Sequence, residues 1–460
     1  MDDADAIAFG TDGWRATLDA FTDERVRMVG QAVASYLDEQ GRTDPVAVGY
    51  DARETSRGFA EELARVLAVN GFDVLIPDRD TPTPVVAWTA TDRGLAGALQ
   101  ITASHNPPEY NGVKFVTHEG TPALPAVTDR LEELLAPPSP APESAWGSVR
   151  ETDFVEPYLD HALSFVDADL DGLIVAYDAM HGSGRGVTDA LLERAGATVT
   201  RRRCERDPTF GGAPPEPTAK RLTGLVETVE RGAADVGIAN DGDADRVTLV
   251  TPDRGALDPN LLFATLYDDL LEAERGPAVR TVSTSSIVDR VAAAHGEGVH
   301  ETAVGFKWVA DAMSEYDALM GGEESGGFGL TAHLRNKDGV LLALAAAAAA
   351  VERPLDARVD DLLAEHGAIH QGRISVDCPD AQKARVLDDL EGALPETVAG
   401  VAVADVNTVD GFKVLLADDT WLLVRPSGTE PKLRVYAEAD SDRRVETLLE
   451  AGRDLVAPLV

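Results

Sequence analysis

The chain has 460 residues, enough for about three domains of ordinary size. Hydrophobic residues make up 44% of it and charged residues 26%, which is typical of a folded globular protein and excludes a disordered or fibrous one. Aspartate and glutamate number 80 against 41 lysines and arginines, a formal net charge of -39. A surface this acidic repels nucleic acids and anionic membranes, so we expect neither as a partner.

The basic residues are almost all arginine, because the chain has only seven lysines. An acid excess with few lysines predicts a salt-loving, halophilic host. In 1 M salt the screening length falls to about 3 Å, so self-repulsion is weak and hydrated carboxylates keep the protein in solution. This composition accounts for the surface and does not identify a function.

Cysteine usage and the N-terminus predict a reduced, cytoplasmic protein. Cys204 and Cys378 lie far apart and match no metal-ligand spacing. The first ten residues, MDDADAIAFG, lack the basic and apolar regions of a signal peptide. The longest apolar run, residues 340–351, is too short for the roughly 20 residues of a membrane span and predicts a buried helix. We expect a monomer or small homo-oligomer.

The predicted elements repeat along the chain. VAVGY at 46–50 predicts a buried strand, the periodicity of 57–71 predicts a helix, and 72–77 returns to strand. The same order recurs over 173–202 and more faintly over 280–304, which predicts three parallel α/β units. A later apolar run in each unit leads into a loop: TASHNP, DGDADR and GGEESGG. Ligands bind beyond the carboxyl ends of such strands, so we expect these loops to converge on one cleft.

Composition also suggests the boundaries between domains. The Pro-, Ser- and Ala-rich segment 136–148 predicts a linker, and further junctions are predicted at 251–260 and near Gly367–Gly372. The strands and helices after the last junction are α+β and do not form a fourth copy. The predicted domains are 1–148, 149–255, 256–367 and 368–460.

Asp241, Asp243 and Asp245 form a candidate metal site. They follow an apolar strand at i, i+2 and i+4, and in extended backbone their carboxylates project to the same side. Such oxygens suit a hard cation, with Mg²⁺ expected. An EF-hand is excluded because Arg246 stands where that loop requires Gly and Pro252 where it requires Glu. The alternative is a solvated acidic loop.

The TASHNP loop places Ser104 beside His105. Ser104 is a candidate covalent nucleophile, and the alternative is a serine in a local turn with a hydrogen-bonding histidine. No G-x-S-x-G elbow surrounds it, which disfavours a serine hydrolase, and no phosphate-binding P-loop motif occurs in the chain. HGSGRG at 181–186 lacks full dinucleotide-fingerprint spacing and is interpreted as a strand-to-helix turn.

Scarce positive groups adjoin Gly-containing or turn-like segments, which favours an anionic ligand. These groups are Arg15, Lys114, Lys307 and Arg425. The RPSGTEP turn adds two hydroxyls and flexible backbone to its guanidinium and is a candidate phosphate cradle. In GGEESGG, the carboxylate and hydroxyl of Glu323 and Ser325 suit the OH groups of a sugar. Each basic residue alone has the alternative of a solvated surface charge.

The ordered set FGTDGWR, TASHNPPEYNGVKF, DGDADR, VGFKWV, GGEESGG and RPSGTEPKLR closely resembles the α-D-phosphohexomutase superfamily, which includes phosphoglucomutases and phosphomannomutases. The resemblance runs from residue 9 to residue 436. It implies three related α/β domains with mixed sheets and a C-terminal α+β domain, arranged around a central cleft.

The resemblance also implies roles for the motif residues. Ser104 would carry a phosphoryl group, and its phosphate would coordinate Mg²⁺ with Asp241, Asp243 and Asp245. Glu323 and Ser325 would bind sugar hydroxyls. The non-reacting phosphate would be held by Arg425, Ser427, Gly428 and Thr429. The groups near the transferred phosphate would be Arg15, His105, Lys114, Arg246 and Lys307, and the acid/base group stays open among Lys114, His105 and Arg15.

The implied activity is exchange of phosphate between Ser104 and a hexose monophosphate through a hexose 1,6-bisphosphate. Glu324 and Gly327 make the sugar loop more like that of a phosphoglucomutase than of a phosphoglucosamine mutase or a bifunctional phosphomannomutase. Phosphomannomutase or dual activity is an alternative, since one loop need not strongly reject a sugar that differs at one hydroxyl. The other classes considered are a metal-dependent sugar phosphatase and a non-catalytic sugar-phosphate binding protein.

Overall fold

The computed structural model describes residues 3–428 and 430–460. Its internal contacts divide the chain into two compact units. Unit 1 comprises Met1–Leu262 and Ser325–Asp356, and unit 2 comprises Phe263–Glu324 and Ala357–Val460. In the described part of the chain, no helix combines the length and apolar character that crossing a membrane requires. Short 3-10 turns lie at Ala4–Ala6, Glu143–Ala145 and Phe210–Gly212.

The first sheet of unit 1 is mixed. Its elements in chain order are β1 (Trp14–Thr17), α1 (Asp23–Glu39), β2 (Val46–Tyr50), α2 (Ser56–Val69), β3 (Val74–Pro77), α3 (Thr83–Asp92), β4 (Gly97–Ile101), β5 (Tyr110–Thr117), α4 (Pro125–Glu133) and β6 (Val149–Thr152). The strand order is β1-β5-β4-β2-β3-β6. β2, β3, β4 and β6 run parallel, and β5 is antiparallel to both β4 and β1. Every residue of β2 is buried, as its continuous apolar run predicts.

The second sheet of unit 1 repeats this pattern. Its elements are α5 (Val155–Val166), β7 (Ile174–Asp178), α6 (Thr188–Arg194), β8 (Thr198–Arg202), α7 (Thr223–Glu230), β9 (Val236–Asn240), β10 (Val247–Thr251) and β11 (Gly255–Ala256). The strand order is β11-β10-β9-β7-β8, with β7, β8 and β9 parallel and β10 antiparallel to β9. The strand-to-helix turn predicted at HGSGRG is confirmed, because these residues join β7 to α6.

The third stretch of chain contributes to both units. Its elements are α8 (Pro259–Ala273), β12 (Ala278–Thr281), α9 (Ile287–Ala294), β13 (Val299–Thr302), α10 (Phe306–Glu315), β14 (Met320–Gly322), β15 (Phe328–Leu330) and α11 (Gly339–Glu352). In unit 2, β12 pairs in parallel with β13 on one side and β14 on the other. α11 is the buried apolar helix that the sequence predicts, and the Asp338 side chain caps its first turn by accepting from two backbone N–H groups.

The three stretches share one arrangement. In each, the first strand of the repeat is central, the strand after its helix lies on one side, and a third parallel strand lies on the other: β3-β2-β4, β8-β7-β9 and β13-β12-β14. The predicted α/β repeats and mixed sheets are therefore confirmed.

The last stretch forms an antiparallel sheet in unit 2, which confirms the predicted α+β class. Its elements are α12 (Leu355–His366), β16 (His370–Asp377), α13 (Asp380–Ala393), β17 (Thr397–Val398), β18 (Val401–Asn407), β19 (Phe412–Leu416), β20 (Trp421–Pro426), β21 (Lys432–Ala439) and α14 (Asp442–Val456). The strand order is β16-β21-β20-β19-β18-β17. Apolar residues of α13 and α14 pack on one face of this sheet in a single core.

Candidate active site

Ser104 lies in the loop after β4, at the carboxyl end of a parallel strand. The residue is fully buried, and its backbone has a φ of +49°, in the left-handed region that non-glycine residues rarely adopt. The Ser104 N–H donates to Thr102 Oγ1 at 2.8 Å, which stabilises this conformation. Backbone strain held in place by surrounding contacts is characteristic of functional sites.

Arg53 holds the same loop through its backbone. Its guanidinium donates to the carbonyl oxygens of Ser104 at 2.9 Å, Asn106 at 2.7 Å, Pro107 at 2.6 Å and Tyr110 at 3.0 Å. The positive charge is balanced by Asp51, whose Oδ2 accepts from Arg53 Nε at 3.0 Å. Both side chains are almost fully buried. Arg53 therefore fixes the loop independently of the loop's side chains.

The three aspartates of DGDADR meet beside Ser104. The three carboxylates are buried, and their candidate ligand oxygens lie within 4.8 Å of one another. The Ser104 hydroxyl donates to Asp241 Oδ2 at 2.7 Å. The extended backbone predicted here is wrong, because residues 242–245 form a turn, with Ala244 at a φ of +54°. The turn, and not strand alternation, brings the carboxylates together.

The two loops approach so closely that Gly242 has no room for a side chain. A Cβ at this position would lie 2.5 Å from the carbonyl oxygen of Ser104. The HGSGRG turn supports Gly242 from the other side, because the Ser183 N–H and hydroxyl both donate to its carbonyl oxygen at 3.0 Å. The close approach of Ser104 to Asp241 thus depends on backbone contact between the two loops.

Two buried lysines balance the carboxylates. Lys114 Nζ lies 2.9 Å from Asp243 Oδ2, 2.8 Å from Asp245 Oδ2 and 3.0 Å from Asp12 Oδ2. Lys337 Nζ lies 2.8 Å from Asp245 Oδ2 and 3.2 Å from Asp12 Oδ2. The site is therefore a compact network of alternating charges.

This network shifts the pKa values of its members in opposite directions. Burial, and then repulsion from Asp243 and Asp245, raises the pKa of Asp241 well above its usual value. Burial opposes ionisation of Asp12 as well, but Lys114 and Lys337 outweigh it and hold the pKa of that carboxyl well below the ordinary value. Burial also disfavours the charged form of Lys114, yet the surrounding carboxylates raise the pKa of its ammonium well above normal.

The aspartate cluster fits a divalent cation. Asp243 Oδ1 and Asp245 Oδ1 are buried and have no hydrogen-bond partner among the described residues. Buried carboxylate oxygens need a partner, and the unfavourable charge on Asp241 is relieved by a nearby cation. An all-oxygen donor set of this kind suits Mg²⁺, Ca²⁺ or Mn²⁺ and not a soft metal.

His105, Arg15 and Arg246 surround this cluster. His105 Nδ1 lies 3.4 Å from Ser104 Oγ, and repulsion from Arg246 followed by burial lowers the pKa of His105 to about 2, so the imidazole is neutral. Arg15 donates to Asp12 at 3.0 Å and to the Asn106 side chain at 3.2 Å. The Arg246 N–H donates to Asp241 Oδ1 at 3.2 Å. All the predicted residues near the transferred group, except Lys307, thus come together in unit 1.

In unit 2, the predicted RPSGTEP cradle is held by a lysine. Lys383 Nζ, on α13, donates to the carbonyl oxygens of Ser427 at 2.6 Å and Glu430 at 2.7 Å. Arg425 and Ser427 are buried, whereas Gly428 is exposed. Thr429, which the sequence places in the same cradle, lies outside the described residues.

The other predicted substrate residues lie on two further loops. Lys307 follows the first residue of α10, and its Nζ lies 5.9 Å from the centre of the Trp308 ring. Glu323 Oε1 accepts from the Gly305 N–H at 3.0 Å, which ties the loop after β14 to the start of α10 within unit 2. Ser325 is exposed and belongs to unit 1.

Sequence reasoning missed four residues of the unit 1 site. Asp12 lies inside the FGTDGWR segment that contains Arg15, and Lys337 is one of only seven lysines. Arg53 and Asp51 directly follow the buried strand β2, where the carboxyl-end rule could have indicated them. A buried serine hydroxyl beside a cluster of carboxylates that could hold a metal ion is an arrangement suited to an enzyme that transfers phosphoryl groups.

Comparison with known proteins gives the family. The four domains of the phosphoglucomutase/phosphomannomutase family match residues 6–139 (alpha/beta/alpha domain I), 156–255 (domain II), 258–366 (domain III) and 374–455 (C-terminal domain). A probable phosphoglucosamine mutase of Methanopyrus kandleri is 35% identical, and the alignment covers 97% of each chain. A phosphoglucomutase/phosphomannomutase of Thermococcus kodakarensis is 31% identical over 97% of this chain and 98% of its own.

Solved structures agree. A putative phosphomannomutase from Thermus thermophilus superimposes with a TM-score of 0.85 at 31% identity, covering 98% of this chain and 99% of its own. The chain belongs to the phosphoglucomutase/phosphomannomutase family of the α-D-phosphohexomutase superfamily. It is an isomerase of the phosphotransferase type.

Proposed function

We propose that this enzyme interconverts glucose 1-phosphate and glucose 6-phosphate through a phosphorylated Ser104 and a hexose 1,6-bisphosphate. One observation carries the proposal: the buried Ser104 hydroxyl donates to Asp241 at 2.7 Å within the carboxylate cluster. Lys114 lies against the same carboxylates. A hydroxyl that is hydrogen-bonded to a candidate metal site, with a buried lysine against the same carboxylate cluster, is suited to exchanging a phosphoryl group.

Asp241, Asp243 and Asp245 would hold Mg²⁺ together with the phosphate on Ser104. When bound, the ion neutralises negative charge on the phosphoryl group being transferred. The two buried oxygens that have no partner among the described residues, Asp243 Oδ1 and Asp245 Oδ1, support this assignment.

The protein's own groups position the reactants and stabilise charge. Arg53 holds the Ser104 loop by its backbone, and Lys114 and Arg15 supply positive charge. The Ser104 Oγ–P bond breaks as a sugar hydroxyl bonds to phosphorus and gives up its proton to the acid/base group. The bisphosphate then presents its other phosphate, whose bond to the sugar oxygen breaks as Ser104 Oγ bonds to phosphorus, and the freed sugar oxygen takes a proton back. Of the three acid/base candidates, His105 is neutral, whereas Lys114 and Arg15 are cations.

Further predicted residues would hold the rest of the substrate. Lys307, Glu323 and Ser325 would contact the sugar, and the phosphate that is not reacting would be bound by Arg425, Ser427, Gly428 and Thr429. The burial of Arg425 and Ser427 and the Lys383 contacts to the same turn support a preorganised anion site.

A second candidate activity is that of a phosphoglucosamine mutase. It is favoured by the Methanopyrus kandleri relative, which carries that name at 35% identity. Glucose is favoured by Glu324 and Gly327 in the sugar loop. Phosphomannomutase activity is a third outcome, because glucose and mannose differ at one hydroxyl.

The test is a parallel assay of glucose 1-phosphate, mannose 1-phosphate and glucosamine 1-phosphate, with Mg²⁺ at high salt. The proposal expects the highest kcat/KM for glucose 1-phosphate and the 6-phosphate as product. Inorganic phosphate as the main product would identify a phosphatase instead. Binding without turnover of any of the three sugars would contradict the mutase assignment.

A further inference from the structure

The turn between β18 and β19 carries an acidic residue, Asp410, that lies outside the six sequence motifs. Its side chain is largely buried, with 16% exposed. Gly411 follows it at a φ of +86°, and a Cβ at Gly411 would lie 2.8 Å from the Cα of Arg425. The turn is thus pressed against the end of β20, and only glycine fits there. Asp410 is thereby fixed beside Arg425.

One carboxylate oxygen of Asp410 makes two contacts. Asp410 Oδ2 accepts from Arg425 Nε at 2.8 Å and from the Val304 N–H at 3.1 Å. Arg425 makes this contact through Nε, so its terminal nitrogens Nη1 and Nη2 are not used by Asp410. Asp410 therefore holds the guanidinium by its side and leaves the two terminal N–H groups for an anion. Two parallel N–H donors are the arrangement with which arginine binds phosphate.

The second contact leads to the sugar loops. Val304 is followed by Gly305, whose N–H donates to Glu323 Oε1 at 3.0 Å. Two consecutive backbone N–H groups are therefore held by two carboxylates, one beside the phosphate cradle and one in GGEESGG. α10, which carries Lys307, begins at the next residue. Val304 also packs against an apolar cluster that includes Trp421 and Tyr436, so this backbone is anchored.

We propose that Asp410 is a positioning residue that couples two parts of substrate binding. These are the binding of the non-transferred phosphate by Arg425 and the contact of Glu323 with the sugar. The inference rests on the proposed function, since it takes Arg425 and Glu323 as substrate-binding groups. Asp410 itself touches no substrate. Its carboxylate fixes the Arg425 guanidinium. Through the backbone of residues 304 and 305, it also fixes the Glu323 carboxylate that would bind the sugar. The binding of the phosphate and the binding of the sugar hydroxyls then depend on each other.

The test uses the full-length enzyme and the isosteric variant Asp410→Asn. We expect KM for glucose 1-phosphate to rise about tenfold, as for loss of one charge-assisted hydrogen bond, with kcat changed much less. Asp418→Asn is the matched control, because Asp418 pairs with Arg444 in the same sheet domain and makes no contact with the substrate loops in the described part of the chain. A KM equal to that of the wild type in Asp410→Asn would overturn the proposal.

A double-mutant cycle separates coupling from general damage. In the parent enzyme, the effects of Glu323→Gln and Arg425→Lys on log(kcat/KM) should not add up to the effect of the double variant. In the Asp410→Asn background, the two effects should be additive. The same degree of non-additivity in both backgrounds contradicts the proposal. If Asp410→Asn does not fold, Asp410→Glu retains the charge at a displaced position, and it should also raise KM; an unchanged KM would again overturn the inference.

Direct binding distinguishes this inference from the mutase assignment. Calorimetric titration of glucose 1-phosphate into the Ser104→Ala protein, with and without Asp410→Asn, measures affinity without turnover. Weaker binding in the double variant supports the role of Asp410 even if the wild type proves inactive as a mutase. Equal binding in the two proteins, together with normal wild-type turnover, overturns the role of Asp410 alone.

Discussion

The guanidinium of Arg53 donates to the backbone carbonyl of Ser104 at 2.9 Å, and to three further carbonyls of the same loop. Arg53 thus lies 51 residues before the candidate nucleophile Ser104, and it hydrogen-bonds only to the backbone of that residue. Together with the local hydrogen bond from the Ser104 N–H to Thr102 Oγ1, these contacts hold Ser104 in a left-handed conformation that non-glycine residues rarely adopt.

Replacing Arg53 with Lys should lower kcat about a hundredfold, because a single ammonium cannot hold four carbonyls and small displacements of a nucleophile cost this much. Arg57→Met is the control, since Arg57 is exposed and pairs with the surface carboxylates of Glu61 and Glu151. Steady-state kinetics of both variants check the prediction. A normal kcat in Arg53→Lys would show that the loop keeps its conformation without the four hydrogen bonds from the guanidinium.

Binding of the proposed Mg²⁺ should be visible in stability as well as activity. Burial and the neighbouring aspartates raise the pKa of Asp241, so a bound cation relieves a real cost in the folded state. Mg²⁺ at a hundred times its Kd should raise the free energy of unfolding by about 2.7 kcal/mol. The measurement is the melting temperature with Mg²⁺ and with chelator.

The matched variant is Asp241→Asn, which keeps the side-chain shape and removes one charge. We expect it to melt at or above the wild-type temperature in chelator and to gain much less from Mg²⁺. Equal Mg²⁺-induced shifts in both proteins would place the metal elsewhere.

Lys337 should contribute as much to kcat/KM as Lys114 and Arg15, the cations that the sequence predicts near this cluster. It contacts Asp245 at 2.8 Å and Asp12 at 3.2 Å in the buried network. Lys337→Met removes a buried cation beside the reacting groups, and we expect kcat/KM to fall about a hundredfold, a typical loss for one electrostatic contact to the transition state. Lys220→Met, at an exposed lysine, should match the wild type. Similar kinetics for the two variants would exclude a role for Lys337.

A pH-dependent contribution to stability is expected in unit 2. Burial, and then repulsion from Arg280, lowers the pKa of Lys413 to about 8, although Glu301 pairs with both cations and Asp289 lies nearby. Above pH 8 the folded protein has lost this proton while the unfolded chain keeps it up to about 10.5, so stability should rise with pH in that window.

The size of that rise is about 3 kcal/mol for this lysine alone, from the difference between the two pKa values. Chemical denaturation of wild type and Lys413→Met at pH 7 and pH 10 isolates it. The stability of the wild type should improve relative to the variant as pH rises. An equal change with pH in the free energies of unfolding of the two proteins would contradict the lowered pKa of Lys413.

The fold could largely be predicted because its repeated elements are encoded locally. The buried run VAVGY forms β2, and the apolar segment 340–351 lies within α11. The segment 393–400 contains only the two-residue strand β17, because the chain turns into β18 at Ala399 and Gly400, which both have positive φ. A positive φ at an alanine is not indicated by its sequence.

Site residues were predictable where a recognisable sequence motif contains them. The aspartate cluster was found from the spacing of DGDADR. Lys337 was not, because its partner Asp12 lies 325 residues away and only the folded chain brings the two together. Arg53 was missed for a similar reason, since backbone carbonyls leave no signature in the sequence.

The most direct test of the account follows one phosphoryl group. The enzyme is labelled with glucose 1,6-bisphosphate carrying radioactive phosphate, digested, and the label is mapped by peptide mass spectrometry, with Ser104→Ala as control. We predict label on Ser104 alone, transferred to glucose 6-phosphate when unlabelled glucose 1-phosphate is added. Label that never appears on Ser104, or that leaves it only as inorganic phosphate, would contradict the proposed mutase mechanism.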